Sequence, residues 1–192
     1  MSLQSAGWYD DYYKEHAKEY ELPYEMSRYF TQWNLIIDSI LPKVGNDPWI
    51  LELGCGPGEF GEMLAAHGYH RYLGIDFSKE AMKIAKTKIP YTKLLCGDFM
   101  KFGGIEIPSC GVDVVICLET LEHLQDDQEV LRRLWPGLWF IGMVPSFDWI
   151  SHVRYFKNKA EVEERYSQFL DECTVWTAGE YFIFFGTIKK EL

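Results

Sequence analysis

The sequence lacks any apolar run near the roughly 20 residues that a membrane-spanning helix needs. It also lacks an opening stretch in which basic residues precede apolar ones, so no secretory leader is expected and a cytoplasmic location is the default. Its five cysteines are Cys55, Cys96, Cys110, Cys117 and Cys173, with no CxxC spacing among them. An odd count without that spacing suggests neither a disulfide framework nor a zinc knuckle. Cys117, inside an apolar run, reads as a small buried hydrophobe. Positive charge is scarce: 19 Lys and Arg face 29 Asp and Glu, for a net charge of -10. Duplex nucleic acid presents dense negative charge, so an acidic chain needs a local basic patch to bind it. Only Lys83-Lys86-Lys88 and Arg132-Arg133 cluster, and both read as solvated helix faces, which disfavours nucleic acid as a partner. Internal repeats, low-complexity stretches and linkers are missing too. The opening Met1-Ser2-Leu3 is set aside from the fold reading.

What is present is enough for a core. The 192 residues are 47% hydrophobic and fit a single domain, 1–192, with a helical segment at 1–45 and a core at 46–192. Residues 8–45 are rich in aromatics and read as helical, with Pro23 separating two helices. Trp33, Ile36, Ile37, Ile40 and Leu41 recur at helical spacing and mark one buried face.

From Trp49 onward strands and helices alternate. Strands are predicted at Trp49–Leu53, Tyr72–Ile75, Thr92–Cys96, Val112–Cys117 and Leu138–Val144. Helices are predicted from Glu59 to His67, from Ser78 as N-cap to about Lys88, and from Asp126 to near Trp135-Pro136-Gly137. Asp126 with Glu129 forms a capping-box pattern. An amphipathic helix follows at Lys159–Leu170. Strands at Thr174–Thr177 and Tyr181–Ile188 then form a hairpin around Ala178-Gly179. Alternation implies an α/β fold with a mostly parallel sheet and helices on both faces, and the closing hairpin adds an antiparallel edge.

In such sheets a ligand sits beyond the carboxyl ends of the strands. Gly54, Gly56 and Gly58 follow the first strand directly, where glycine permits positive φ and close backbone approach to a ligand. Asp76 ends the second strand, where a carboxylate can accept both hydroxyls of a ribose. Asp98 follows the third strand and could accept from an adenine amino group, with Phe77 or Phe99 packing on the ring. Alone, either acid could equally cap a turn or helix; together, at the ends of successive strands, they favour a cofactor site.

These residues resemble the class I S-adenosylmethionine-dependent methyltransferases. The family's glycine motif resembles Glu52-Leu53-Gly54-Cys55-Gly56-Pro57-Gly58, its ribose acid falls at Asp76 and its adenine acid at Asp98. The resemblance implies a seven-stranded Rossmann-like sheet with a C-terminal antiparallel hairpin. It places Glu52, Gly54, Cys55, Gly56, Gly58, Asp76, Phe77, Asp98, Phe99 and Glu119 around the cofactor. Tyr12–Tyr20 is similar to the leading helix that lids the pocket in many small-molecule methyltransferases. The rival is a dinucleotide site: Gly56-Pro57-Gly58-Glu59-Phe60-Gly61 matches GxGxxG, and Asp76 follows at the expected distance. Pro57 weighs against it, because it removes an N–H that a pyrophosphate would want. The match also begins late, since Gly54 already ends the strand.

Glu119-Thr120-Leu121-Glu122-His123-Leu124 follows the fourth strand. Were it helical, Glu119, Glu122 and His123 would share one face and could hold a divalent metal. The stretch resembles the corresponding region of ubiquinone-pathway O-methyltransferases and of small-RNA 2′-O-methyltransferases. Many class I enzymes carry a similar Glu-His with no recognised metal. On that reading Glu119 lies at the methionine end of the cofactor and His123 serves as a lip or base residue. After the fifth strand, Pro145–Phe156 mixes aromatics with polar groups and suits a substrate wall. There His152 is a second candidate base or further metal ligand, or else His152 and Arg154 merely fix the loop.

The expected function is methyl transfer from S-adenosylmethionine to a small-molecule acceptor at oxygen or nitrogen, with Glu119, His123 and His152 as catalytic candidates. The alternatives are a metal-assisted RNA 2′-O-methyltransferase, which the acidic charge disfavours, and a non-catalytic S-adenosylmethionine-binding module. The sequence leaves the oligomeric state open.

Overall fold

A computed structural model describes residues 4–101 and 111–190; Met1-Ser2-Leu3 and Cys110 lie outside the described residues. The chain divides into two compact units, one spanning Gln4–Phe99 and the other running from Met100 onward.

The first unit opens with α1 (Ala6–Glu15) and α2 (Ala17–Tyr20), then a 3₁₀ turn at Tyr24–Met26 that follows Pro23. Next come α3 (Phe30–Leu35), a π turn at Ile36–Ile40 and α4 (Leu41–Val44). The predicted apolar face is buried at Trp33, Ile36, Ile37, Ile40 and Leu41. The π turn was not foreseen. Pro42 explains it: proline has no N–H for the carbonyl of Asp38, and its ring crowds that carbonyl, so the preceding turn widens.

Strand and helix then alternate as expected: β1 (Ile50–Leu53), α5 (Glu59–Ala66), β2 (Tyr72–Asp76), α6 (Lys79–Lys88) and β3 (Lys93–Cys96). Pairing is parallel, with Leu53 opposite Ile75 and Asp76 opposite Cys96. Ser78 caps α6 as predicted, its hydroxyl accepting from the Ala81 amide at 3.2 Å. Ala81, Met82 and Ala85 bury the inner face of that helix.

The second unit holds β4 (Val114–Leu118), a 3₁₀ turn at Leu121–His123, α7 (Asp127–Arg132), β5 (Trp139–Pro145), α8 (Lys159–Tyr166), β6 (Leu170–Ala178) and β7 (Tyr181–Ile188). β4 pairs with β5 in parallel, and β5–β7 and β7–β6 are antiparallel. The seven strands follow the order β3-β2-β1-β4-β5-β7-β6. This is the mostly parallel sheet with an antiparallel end that the sequence implied.

Three local expectations are corrected. β4 begins two residues later than predicted. The Asp126 side chain makes no cap bond; the Glu129 carboxylate instead accepts from Arg133 at 3.0 Å. A reciprocal cap of related form closes the start of α8, where Asn158 accepts from the Glu161 amide and Glu161 accepts from the amide of Lys157, one residue before the cap. Finally, the helix predicted to reach Leu170 stops at Tyr166, and β6 starts at Leu170. A bulge between Asp171 and Thr174, with Glu172 at φ 53°, lets β6 continue past an irregular step that broke the alternation in the sequence. Among the described residues no helix is long and apolar enough to cross a membrane.

Candidate functional site

The glycine loop leaves β1 with Gly54, Gly56 and Gly58 at φ 76°, 50° and 81°. L side chains rarely adopt these angles, so the run needs its glycines. The loop amides are already engaged. Those of Gly54 and Cys55 donate to the Ile75 carbonyl at 2.8 and 3.0 Å, and that of Gly58 donates to the Cys55 carbonyl at 3.0 Å. The Gly56 amide donates to Asp76 Oδ2 at 2.9 Å. Pro57 has no N–H. A pyrophosphate cradle requires free amides pointing at the ligand, and here none of the loop amides from Gly54 to Gly58 is left for one. Two carboxylates, Glu59 and Glu62, also occupy the first turn of α5. The loop can turn beside a cofactor but is not arranged to hold phosphate.

Asp76 lies at the end of β2, almost fully buried. Its oxygens accept from Gly56 and, at 2.8 Å, from the Ser78 amide. Burial pushes its carboxyl up to about 6, and these backbone bonds pull the other way. Each carboxylate oxygen carries two lone pairs, so acceptor capacity remains for a hydroxyl. Asp98 sits just beyond β3, half-buried, and the Gly97 amide before it donates to the Asp76 carbonyl at 2.8 Å. Phe99 is buried, whereas Phe77 is half-exposed, so Phe77 is the better placed of the two to meet a flat ring.

Two predicted residues sit differently from a simple contact role. The Cys55 thiol points into the core, packed 3.9 Å from Met82 Sδ. Glu52 is buried in β1 and accepts a 2.5 Å hydrogen bond from the Tyr72 hydroxyl. Burial pushes its carboxyl up to about 8, although the Tyr72 bond pulls it down. Tyr72 itself was overlooked as a site residue, because at the start of a predicted strand it reads as one more apolar position. Its ring passes close to two glycines: a Cβ on Gly74 would lie 2.8 Å from the Tyr72 hydroxyl, and one on Gly61 would lie 3.0 Å from its Cζ. Gly61, the last glycine of the apparent GxGxxG, is therefore explained by packing alone.

The leading helix covers this loop. A Cβ on Gly56 would lie 3.2 Å from the Tyr13 hydroxyl. Burial, with Asp76 close by, pushes the Tyr13 phenol well above its ordinary value. The Tyr9 ring lies 5.2 Å from that of Phe77. Asp10, between these tyrosines, accepts from Ser78 Oγ at 2.6 Å and from the Glu80 amide at 3.2 Å. The sequence carried no signal for this pairing across 68 residues.

In the second unit the stretch after β4 is not one helix. Glu119 turns with φ 50°, and only Leu121–His123 form a 3₁₀ turn. The expected single face of Glu119, Glu122 and His123 is thereby corrected, since a left-handed residue before the turn takes Glu119 out of the helical repeat. The metal-compatible set that the structure brings together is Glu122, His123 and His152, whose ligand atoms lie within 4.8 Å of one another. The loop after β5 delivers His152. The Val153 amide donates to the Glu122 carbonyl at 2.7 Å, and Arg154 bonds the carbonyls of Leu121 and Gln125, each at 2.9 Å. Arg154 thus does fix the loop, and in doing so holds His152 beside His123, ring centroids 5.1 Å apart.

Both histidines present Nδ1 to a carbonyl: His123 to Ser151 at 2.9 Å and His152 to Phe147 at 3.2 Å. A carbonyl only accepts, so in the neutral ring the nitrogen that bonds it carries the proton; in His152 this leaves Nε2 with a lone pair, whereas His123 also bonds the Glu119 backbone. Burial lowers both rings, His123 to about 4, so they stay neutral at physiological pH. The Glu122 side chain is fully buried, and among the described residues neither oxygen meets another residue's hydrogen-bonding group. Burial pushes it up to about 8, against the pull of Arg154. Its Oε1 lies 3.8 Å from His123 Nε2. One ion with bonds of about 2.1 Å spans at most about 4.2 Å between ligands, so the donor types fit a divalent metal and the spacing is slightly wide.

Comparison with known proteins bears on the fold and the cofactor class. Residues 51–138 match the methyltransferase domain family. A probable S-adenosylmethionine-dependent methyltransferase of Mycolicibacterium smegmatis is 30% identical over 101 residues, 50% of this chain and 38% of the relative. A ubiquinone biosynthesis O-methyltransferase of Nitrosomonas europaea is 31% identical over 102 residues, 50% of this chain and 41% of the relative. The chain thus spans well under half of these curated relatives. Among solved structures, the N-methyltransferase NodS from Bradyrhizobium japonicum WM9, in complex with S-adenosyl-L-homocysteine, aligns with a TM-score of 0.65 at 19% identity. That alignment covers 93% of this chain and 98% of NodS. Residues 51–138 are thus similar to the methyltransferase domain family, and the glycine loop and the strand order are those of its Rossmann-like, S-adenosylmethionine-dependent relatives.

Proposed function

We propose that this chain transfers a methyl group from S-adenosylmethionine to oxygen or nitrogen of a small-molecule acceptor. The observation that carries the reading is the glycine loop itself: its amides from Gly54 to Gly58 are satisfied internally, and it abuts a buried strand-end carboxylate, Asp76. Such a loop suits a nucleoside without phosphates. Its relatives' names and the S-adenosyl-L-homocysteine held by NodS support the cofactor. The net charge of -10 supports a small acceptor over nucleic acid.

In this reading Asp76 accepts the ribose hydroxyls, Asp98 accepts the adenine amino group, and Phe77 packs on the base. Phe99 and the Glu52–Tyr72 pair support the loop from the core. The bound cofactor supplies a methyl group already activated on a sulfonium. The protein's remaining task is to align the acceptor and take its proton. The neutral rings of His123 and His152 are the candidate proton acceptors, and Glu119 orients the methionine end. The metal reading has one observation in its favour, the convergence of Glu122, His123 and His152. A divalent ion held there would lower the pKa of an acceptor hydroxyl.

The test begins with titration of S-adenosylmethionine and S-adenosyl-L-homocysteine, followed by a screen for transfer of labelled methyl. His123→Ala and His152→Ala are then assayed at saturating cofactor, with and without divalent metals. The expectation is a fall in turnover of about 10²-fold or more in at least one variant, the scale of general base catalysis. Binding without transfer to any acceptor would leave a cofactor-binding module. Unchanged turnover in both variants would overturn the roles given to the histidines.

A further inference from the structure

We propose that Asp10 is a positioning residue that latches α1 over the cofactor loop and thereby sets how fast S-adenosylmethionine enters and leaves. The inference rests on the cofactor reading above. Its structural half, that Asp10 holds α1 down, stands on contacts within the first unit alone.

The latch is a single carboxylate. Asp10 Oδ1 accepts from Ser78 Oγ at 2.6 Å and from the Glu80 amide at 3.2 Å, and the Lys79 amide also bonds this carboxylate. These donors belong to the N-terminal turn of α6, where unpaired amides and the helix dipole favour a negative charge. Burial raises the Asp10 carboxyl, yet the three hydrogen bonds outweigh it and leave the group below its ordinary value. Ser78 keeps its own cap on Ala81 at the same time. Otherwise α1 rests on its aromatic side chains, Tyr9 against Phe77 and Tyr13 over Gly56, so Asp10 is its charged anchor.

What the latch holds closed follows from the residues on either side of it. Tyr9 lies on Phe77, and Tyr13 lies over Gly56 and is buried near Asp76. Asp76 is 5% exposed beneath them. The acid assigned to the ribose is thus covered by one helix, which also packs against the half-exposed ring assigned to the base. A nucleoside reaches that acid only when α1 lifts, and lifting α1 breaks the Asp10 bonds. Opening would then limit association as well as release.

The test compares wild type, Asp10→Ala and Asp10→Asn. Stopped-flow fluorescence follows S-adenosylmethionine binding, with Trp8 on α1 as reporter, and amide hydrogen exchange follows α1 without cofactor. In Asp10→Ala the association and dissociation rates should both rise about tenfold, the factor carried by about 1.4 kcal/mol. Exchange of α1 amides should rise while α6 stays protected by the Ser78 cap. Asp10→Asn, which keeps an acceptor oxygen for Ser78, should fall between. A helix that only adds contacts to bound cofactor would speed dissociation and leave association unchanged, which would overturn the proposal. Unchanged α1 exchange would overturn it equally. If wild type fails to bind S-adenosylmethionine, the cofactor reading fails, and the exchange arm still decides whether Asp10 holds the helix.

Discussion

Tyr72 and Glu52 show how much a single buried contact can decide. The Tyr72 hydroxyl is the donor to a carboxyl enclosed in β1, and Gly61 and Gly74 leave room for its ring. Removing the donor while keeping the ring isolates the cost of an unsatisfied buried group. Tyr72→Phe is expected to lose about 1–3 kcal/mol of stability, seen as a lower urea midpoint with an unchanged slope. None of this was legible beforehand: tyrosine at a strand start is an ordinary apolar choice, and a glutamate before a glycine run reads as part of the motif. The place of Asp76 was legible as a carboxylate ending a strand beside a glycine turn, but its bonds to the Gly56 and Ser78 amides were not. His152 was half legible. Its chemistry could be named from the sequence, but its neighbour could not.

At the scale of elements, regular segments announced themselves and irregular ones did not. α6 was readable from its cap, its apolar spacing and Pro90 beyond it. Glu119, Glu122 and His123 have helical spacing after β4, which left a helix open there. A left-handed Glu119 ended that repeat before it began, and no composition signal marks a glutamate at φ 50°. α5 offers a test of why a glycine sits inside a helix. Alanine at position 61 would gain up to about 1 kcal/mol in helix propensity. Its Cβ, however, would lie 2.9 Å from Ile89 Cδ1 and 3.0 Å from Tyr72 Cζ, and overpacking of that kind costs about 1–3 kcal/mol. Gly61→Ala is therefore expected to lower the thermal midpoint. A midpoint at or above that of wild type would show that Tyr72 and Ile89 yield easily.

For the whole molecule the buried ionisable groups set a pH dependence. Burial holds Glu52 and Glu122 up to about 8 and Asp76 up to about 6. A carboxyl raised in the folded state binds a proton that the unfolded chain has released. The stability it contributes is complete below the unfolded value and is lost as pH rises through the folded one. The depressed histidines act with the opposite sign, but only below about 6.5, where the unfolded rings begin to take up protons. Between pH 6.5 and 8.5 the carboxyls alone remain, so the thermal midpoint should fall across that window. Glu52→Gln should flatten the fall. A profile that rises instead would mean that these carboxyls are ionised in the native protein.

The sequence by itself determined the class of fold, the glycine loop, the strand-end acids and the closing hairpin. Each of these is a local pattern in which backbone angles, alternation or capping chemistry depend on neighbours in the chain. Only the tertiary structure decided what lies across from what. It turned the loop amides inward, placed Tyr72 beneath them, tied Asp10 to the start of α6 and exchanged Glu119 for His152 beside Glu122 and His123. Those outcomes depend on side chains that meet across tens of residues, and burial is what gives each meeting its energetic consequence. No spacing along the chain encodes that distance.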